Sequence, residues 1–282
     1  MSHPLRIGLK LAQQIYPLDV LRAVWRIADD AGFDHCWGFD HLIALGDDSS
    51  APVYDGWVVL GAMAEATKRT RLGLIVTGNL YRHPGLLAKM GVTVDHLSGG
   101  RLEMGIGAAW NEPEFAQQGL PFPSVAERIR RLDESCTVMK LLWADGRATF
   151  EGRYYQLRDA IAEPKPVQRP HPPIWIGGAG PKRTLRVVAR HADVWNSNAS
   201  SMEETLRLSG VLDEHCAAVR RDPAAVRRSV QVRWQGRDET AAPLETYARA
   251  GFTELVIMLG GADPRRAAEE VAAALPTLRA IG

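Results

Sequence analysis

The run Arg101-Leu102-Glu103-Met104-Gly105-Ile106-Gly107-Ala108-Ala109-Trp110-Asn111-Glu112 passes from a short apolar strand into small residues and then into a Trp-Asn-Glu corner. Gly105 and Gly107 have no Cβ, and Ala108 and Ala109 have little beyond one, so a planar ligand can lie close to the main chain. A close-packed strand end with no ligand fits the same residues. Residues 33–41 read as a strand that finishes on adjacent Asp40 and His41. A histidine gains and loses its proton near neutral pH, and a neighbouring carboxylate can fix its tautomer. The competing reading is a structural Asp at a loop cap beside a surface His. Residues 173–183 read as a strand, the glycine loop Gly177-Gly178-Ala179-Gly180 and a basic helix start, Pro181-Lys182-Arg183. Free backbone N–H groups, a positive helix end and nearby cations suit an anion; a tight turn is the alternative. Between these lies a strand followed by a donor-rich loop. There the side chains of Leu74, Ile75 and Val76 read as core, while their backbone and the side chains of Thr77 and Asn79 can face a ring edge.

These stretches need elements that bring them to one place. Apolar patterning predicts strands at 6–11, 33–39, 71–77, 101–106, 173–176, 192–195, 230–234 and 254–259, with helices at 18–31, 55–67, 84–97, 124–143, 181–190, 202–220, 244–250 and 264–281. Strict alternation implies right-handed βαβ units and a parallel sheet, and eight strands close a barrel. The expected fold is therefore an α/β (β/α)8 TIM barrel, one domain over residues 1–282, with an insertion around 146–172 made of a hairpin and a Pro-rich return. Such an insertion is expected to cover the site. In a parallel barrel the carboxyl ends of all strands open on one face, where the candidate residues would converge.

Composition sets the outer limits. Of 282 residues, 46% are hydrophobic and 24% charged, an ordinary globular balance. Net charge is +1, so no chain-wide field attracts nucleic acid or an anionic membrane. The first residues show no apolar leader and no stretch is long enough to span a bilayer, so a cytoplasmic protein is expected. Cys36, Cys136 and Cys216 are odd in number and widely spaced, which argues for core thiols and against a disulfide framework. The eight histidines show no metal-site spacing, and no metal is expected. A dinucleotide fingerprint fails, because Gly105-x-Gly107-x-x-Trp110 lacks the third glycine and Pro113 follows.

Taken in order, Phe39-Asp40-His41, the segment from Val76 through Thr77-Gly78-Asn79 to Pro84, the segment 97–110 and Pro172-Pro173-Ile174-Trp175-Ile176-Gly177-Gly178 resemble the luciferase-like monooxygenase superfamily, and most closely its branch that uses the deazaflavin coenzyme F420. The resemblance implies a barrel that holds the coenzyme at its carboxyl face. It also implies a phosphate anchored by the glycine loop and a bulge with a non-prolyl cis peptide near Leu74-Ile75 behind the ring. The implied cofactor-binding residues are Asp40, Leu74, Ile75, Val76, Thr77, Asn79, Gly105, Gly107, Ala108, Ala109, Trp110, Gly177, Gly178, Ala179 and Gly180, with His41 beside Asp40 handling the proton. Lys182, Arg183 and Arg82 are the candidate partners of the coenzyme's anionic tail. Trp110 and Leu45 stand where some deazaflavin dehydrogenases carry a carboxylate and a Trp, which weighs against a sugar-phosphate alcohol as substrate. The implied function is hydride transfer between F420 and a small organic substrate. The alternatives are an FMN-dependent two-component monooxygenase, served by a separate coenzyme reductase, and a noncatalytic flavin-binding barrel. A homodimer is expected.

Overall fold

A computed structural model describes residues 5–46 and 48–281. Met1 to Pro4, on which the expected absence of a leader rests, lie outside the described residues. Eight parallel strands close on themselves: β1 (Arg6–Lys10), β2 (His35–Gly38), the interrupted pair β3 (Arg71–Leu74) and β4 (Thr77–Gly78), β5 (Leu102–Gly107), β8 (Ile174–Gly177), β9 (Val194–Ser197), β10 (Arg227–Arg233) and β11 (Phe252–Met258), which returns to β1. The expected barrel is present as one α/β domain, with β6 (Ala148–Glu151) and β7 (Gln156–Ala160) as an antiparallel hairpin outside it.

The helices form where the patterning places an apolar stripe. In α1 (Leu18–Ala31), Leu21, Val24, Trp25 and Ala28 recur at helical spacing and are buried, and Gly32 stops the helix in the left-handed region at φ 79°. Helix α2 spans Gly56–Ala66, and α3 (Pro84–Leu97) starts on a proline behind the N-cap His83. Then come α4 (Glu112–Gln117), α5 (Val125–Trp143), α6 (Thr184–His191), α7 (Met202–Ala218), α8 (Arg237–Arg249) and α9 (Pro264–Arg279). Helix α4 was not anticipated, and α6 starts three residues later than expected because 181–183 form a turn. All three cysteines are buried free thiols.

Inside the barrel, the floor is charged and saturated. Glu254 accepts from Arg6 (3.2 Å), Arg227 and His35 Nε2–H (3.1 Å); Glu103 accepts from Arg71 and from Trp175 Nε1–H (2.6 Å). His35 Nδ1 in turn accepts from Trp37 Nε1–H (2.6 Å), so the imidazole is neutral, and burial followed by the Arg6 charge pushes its pKa down to about 3. Above this floor Trp37, Ile75, Trp175, Val194 and Val256 plug the barrel. Gly8 and Gly73 make room for them: a Cβ on Gly8 would lie 1.7 Å from the His35 ring, and one on Gly73 2.5 Å from that of Trp37. Beyond the plug lie the carboxyl ends of the strands.

The insertion lies elsewhere than expected. Helix α5 returns the chain to the amino-terminal face, so the segment from 144 to the start of β8 is an α-to-β connection, and its hairpin climbs the outside of α3 and α5 until Tyr155 meets His83 at the start of α3. Its hairpin is fixed to Glu134 of α5, which accepts the N–H groups of Arg153 (2.9 Å) and Tyr154 (2.8 Å), and its return runs along α3 through Asp95 to Gln168 (3.0 Å). It packs on the outside of these helices.

Candidate active site

A cavity of about 390 Å³ opens at the carboxyl ends of the strands, within the usual range for small-molecule sites. Its walls include Lys10, Asp40, His41, Ile75, Val76, Gly107, Ala108, Ala109, Trp110, Gly177 and Gly178, so four separate sequence motifs meet in one space.

His41 reaches the cavity because the end of β2 is clamped. The Gln13 side chain accepts from Phe39 N–H (3.1 Å) and donates to the Phe39 carbonyl (2.5 Å). The carboxylate that fixes the histidine is Glu114, and not the adjacent Asp40: Glu114 Oε1 lies 3.0 Å from His41 Nδ1. Glu114 also accepts from Leu42 N–H (3.0 Å) and from the Tyr81 hydroxyl. Burial would push the Glu114 pKa up, but the bonds from His41, Tyr81 and Leu42 outweigh it and hold the carboxyl below its ordinary value. Tyr81 is correspondingly raised, by burial and by donating to Glu114. With Nδ1 donating to a carboxylate, His41 Nε2 is left as a proton acceptor towards the cavity.

Asp40 belongs to a second cluster. It accepts from the Thr77 hydroxyl and from Arg82 Nη1 (2.6 Å), while Arg82 also reaches Asp55 (3.1 Å), whose other oxygen caps α2. Burial outweighs these partners and raises the Asp40 pKa. Thr77 therefore serves Asp40 and not the cavity, and Arg82 is committed to two carboxylates and is not a free cation for a ligand.

Several other candidates turn out to be scaffold. Leu74 is core, and its carbonyl oxygen would lie 1.9 Å from a Cβ on Gly105, so Gly105 is a strand-packing glycine. Asn79 donates to the Arg128 carbonyl (3.2 Å), tying the end of β4 to α5. The cis peptide joins Ile75 to Val76, one residue beyond the expected place, and both residues line the cavity. In the glycine loop, Gly178 N–H is already donated to the Asn196 carbonyl (3.1 Å), and Ala179 and Gly180 lie outside the lining. What faces the cavity there is Gly177, Gly178 and Thr184, the first residue of α6. Lys182 and Arg183 stay exposed on the preceding turn.

The residues that sequence reading missed share two origins. Glu114 sits on α4, whose Glu-Pro-Glu start is a recognisable helix opening with proline in the first turn. Lys10, Asn196 and Gln231 occupy inward positions near the ends of β1, β9 and β10, which strand alternation from Gly8, Val194 and Ser229 indicates. Among the described residues there is no cluster of His, Cys, Asp or Glu able to hold a metal, and no helix is long and apolar enough to cross a membrane.

Comparison with known proteins agrees with this geometry. The chain is 33% identical over 282 residues to an F420-dependent glucose-6-phosphate dehydrogenase of Beutenbergia cavernae, covering 98% of this chain and 82% of that one. It is 25% identical over 257 residues to an FMNH(2)-dependent dimethylsulfone monooxygenase of Pseudomonas putida, covering 88% and 69%. In fold it matches an F420-dependent secondary alcohol dehydrogenase, solved with an F420-acetone adduct, at a TM-score of 0.87 and 19% identity over 98% of this chain and 99% of that one. The luciferase-like monooxygenase family model matches residues 1–279, and the chain belongs to that family.

Proposed function

We propose that the chain is a coenzyme F420-dependent oxidoreductase that moves hydride between the coenzyme and a small organic substrate. The observation that carries this reading is the His41–Glu114 pair at 3.0 Å, which presents a single ring nitrogen to a cavity walled by small residues and backbone. Ile75, Val76, Gly107, Ala108 and Gly177 line the strand ends with backbone and small or aliphatic side chains, against which a flat ring can lie. Thr184 and the exposed Lys182 and Arg183 stand where a phosphate and an anionic tail would be held. The bound deazaflavin would supply the hydride chemistry. His41 accepts or returns the hydroxyl proton of an alcohol or carbonyl substrate, and Glu114 keeps it in the tautomer that can do so. Phe39, Leu45, Trp110, Val125 and Ile129 give part of the remaining wall an apolar character that suits an organic alcohol or ketone, with Arg128 as the one cation beside them among the described lining residues of that wall.

The whole-length match to a named F420-dependent enzyme supports F420 over FMN, and the weaker match to an FMNH(2)-dependent monooxygenase supports the second reading, a monooxygenase fed by a separate reductase. Val58 and Leu86, exposed on α2 and α3, support a homodimer. Spectroscopic titration with each coenzyme tests the assignment. The expectation is saturable F420 binding at least about tenfold tighter than FMN, roughly 1.4 kcal/mol. Tighter FMN binding with oxygen-dependent turnover would move the chain to the second reading.

A further inference from the structure

Lys10, the last residue of β1, points inward at the cavity floor. Its ammonium donates to Gln231 Oε1 (2.7 Å) and lies 3.4 Å from the Ile75 carbonyl. Gln231 Nε2 donates onward to Asn196 Oδ1 (2.8 Å), and Asn196 Nδ2 to the Ser229 hydroxyl (2.9 Å). Every bond in this chain runs away from Lys10, so the amide oxygens are consumed in fixing the network. Of the three ammonium hydrogens, two have protein acceptors and one is left for the cavity. No ion pair among the described residues includes Lys10. Buried cations are ordinarily paired with a carboxylate, because an uncompensated one costs several kcal/mol. The barrel supplies buried carboxylates to arginines a few residues below, yet gives this lysine only amides and a carbonyl.

The arrangement calls for a ligand that brings negative charge to the floor. We infer that Lys10 is the cationic anchor for the pyrimidine edge of the coenzyme's ring, binding the reduced form more tightly than the oxidised form. The floor carries this fixed network of amides around one ammonium, and the pyrimidine edge, with two carbonyls and N1, is the polar end of a tricyclic flavin or deazaflavin. Addition of a hydride to the neutral ring brings two electrons and one proton and leaves one negative charge, spread over N1 and the adjacent carbonyl. A fixed N–H donor there favours the product of that addition without having to reorganise. Burial of the lone ammonium, which lowers its pKa to about 8, fits a group held ready for an anion.

This inference rests on the proposed coenzyme site, and the experiment separates the two. Wild type, Lys10→Met, Lys10→Arg and Gln231→Glu are titrated anaerobically with oxidised and chemically reduced F420 and FMN, with thermal melts to confirm folding. Lys10→Met is expected to lose at least about tenfold of the preference for reduced over oxidised coenzyme, equivalent to about 30 mV lower midpoint potential for the two-electron couple. Gln231→Glu, which places a carboxylate on Lys10 without removing it, should lose the preference similarly, and Lys10→Arg should retain most of it. Equal weakening of both forms in Lys10→Met would make the lysine a packing element and overturn the inference while leaving the coenzyme reading intact. Binding of neither coenzyme by folded wild-type protein would overturn both.

Discussion

The carboxylate of Glu114 bridges His41 and Tyr81, lying 3.0 Å from the histidine Nδ1 and accepting the tyrosine hydroxyl. The histidine follows β2 and the glutamate comes from α4 in the loop after β5, so the pair exists only once β2, β3 and β5 lie side by side. It turns an imidazole at the cavity wall into a group with one defined tautomer. His41→Ala should therefore lower turnover by roughly a hundredfold or more while leaving coenzyme affinity and folding nearly unchanged, as for loss of a positioned acid or base. Steady-state kinetics at saturating substrate, alongside a coenzyme titration, reads both quantities; undiminished turnover would remove His41 from the chemistry.

Glu114→Gln keeps the shape and an acceptor but loses the charge. Turnover should fall about tenfold with KM little changed, since the imidazole loses the acceptor charge that fixes its tautomer. The variant also tests stability. The folded-state pKa of Glu114 lies below its ordinary 4.5, so its contribution is fully present above that value and is lost as pH falls through the lower folded value. The gap in melting temperature between wild type and Glu114→Gln should close on acidification below pH 4.5. A gap that stays constant with pH would show that the charge of Glu114 does not contribute.

The barrel itself was legible because it rests on periodicity, and periodicity is local: apolar runs of strand length, amphipathic helices and a glycine at Gly32 are each visible within a few residues. The site was legible only where a motif carried both its position and its chemistry, as at Asp40-His41. The partner of His41 lies 73 residues away and adjacency pointed to Asp40 instead, but Asp40 is held by Thr77 and Arg82. The insertion misled for a topological reason: a long segment says nothing about which face it emerges on until the strands and helices before it are counted. Glycines misled in a third way, since a missing Cβ serves a neighbouring strand as readily as a ligand.

Gly105 is the clearest example. A Cβ there would lie 1.9 Å from the Leu74 carbonyl oxygen, a backbone atom in the barrel wall. Gly105→Ala should destabilise the protein by roughly 3 kcal/mol or more, or prevent folding altogether, and should not act as a selective block of coenzyme binding. A soluble Gly105→Ala protein with unchanged melting temperature and weakened coenzyme affinity would restore the ligand-clearance reading.

Lys10 leaves a signature in the protein without coenzyme. Its pKa is about 8 in the folded chain against 10.5 when unfolded, so between these values the unfolded state binds more protons and stability rises with pH. Relative to Lys10→Met, the wild type should therefore gain stability as pH is raised from about 8 to 10.5, and the difference should be flat below that window. Parallel denaturant titrations across this range read the slope; its absence would mean that the ammonium is solvated or paired.

The remaining cations bear on the choice of coenzyme. Arg82 is locked between Asp40 and Asp55, at 2.6 and 3.1 Å, so of the three cations expected to hold an anionic tail only Lys182 and Arg183, exposed on the turn before α6, remain uncommitted. FMN ends at its phosphate, whereas F420 continues into a lactyl-glutamyl tail that would reach this turn. Exposed attractions of this kind are screened within about 10 Å at 0.1 M salt. The affinity for F420 should therefore fall more steeply than that for FMN as salt is raised from about 0.05 to about 0.5 M. Replacing Lys182 and Arg183 together with Ala should flatten the F420 slope towards that of FMN and leave FMN binding alone. Equal slopes for the two coenzymes in the wild type would place the tail away from α6, and a steeper slope for FMN would argue for the monooxygenase reading.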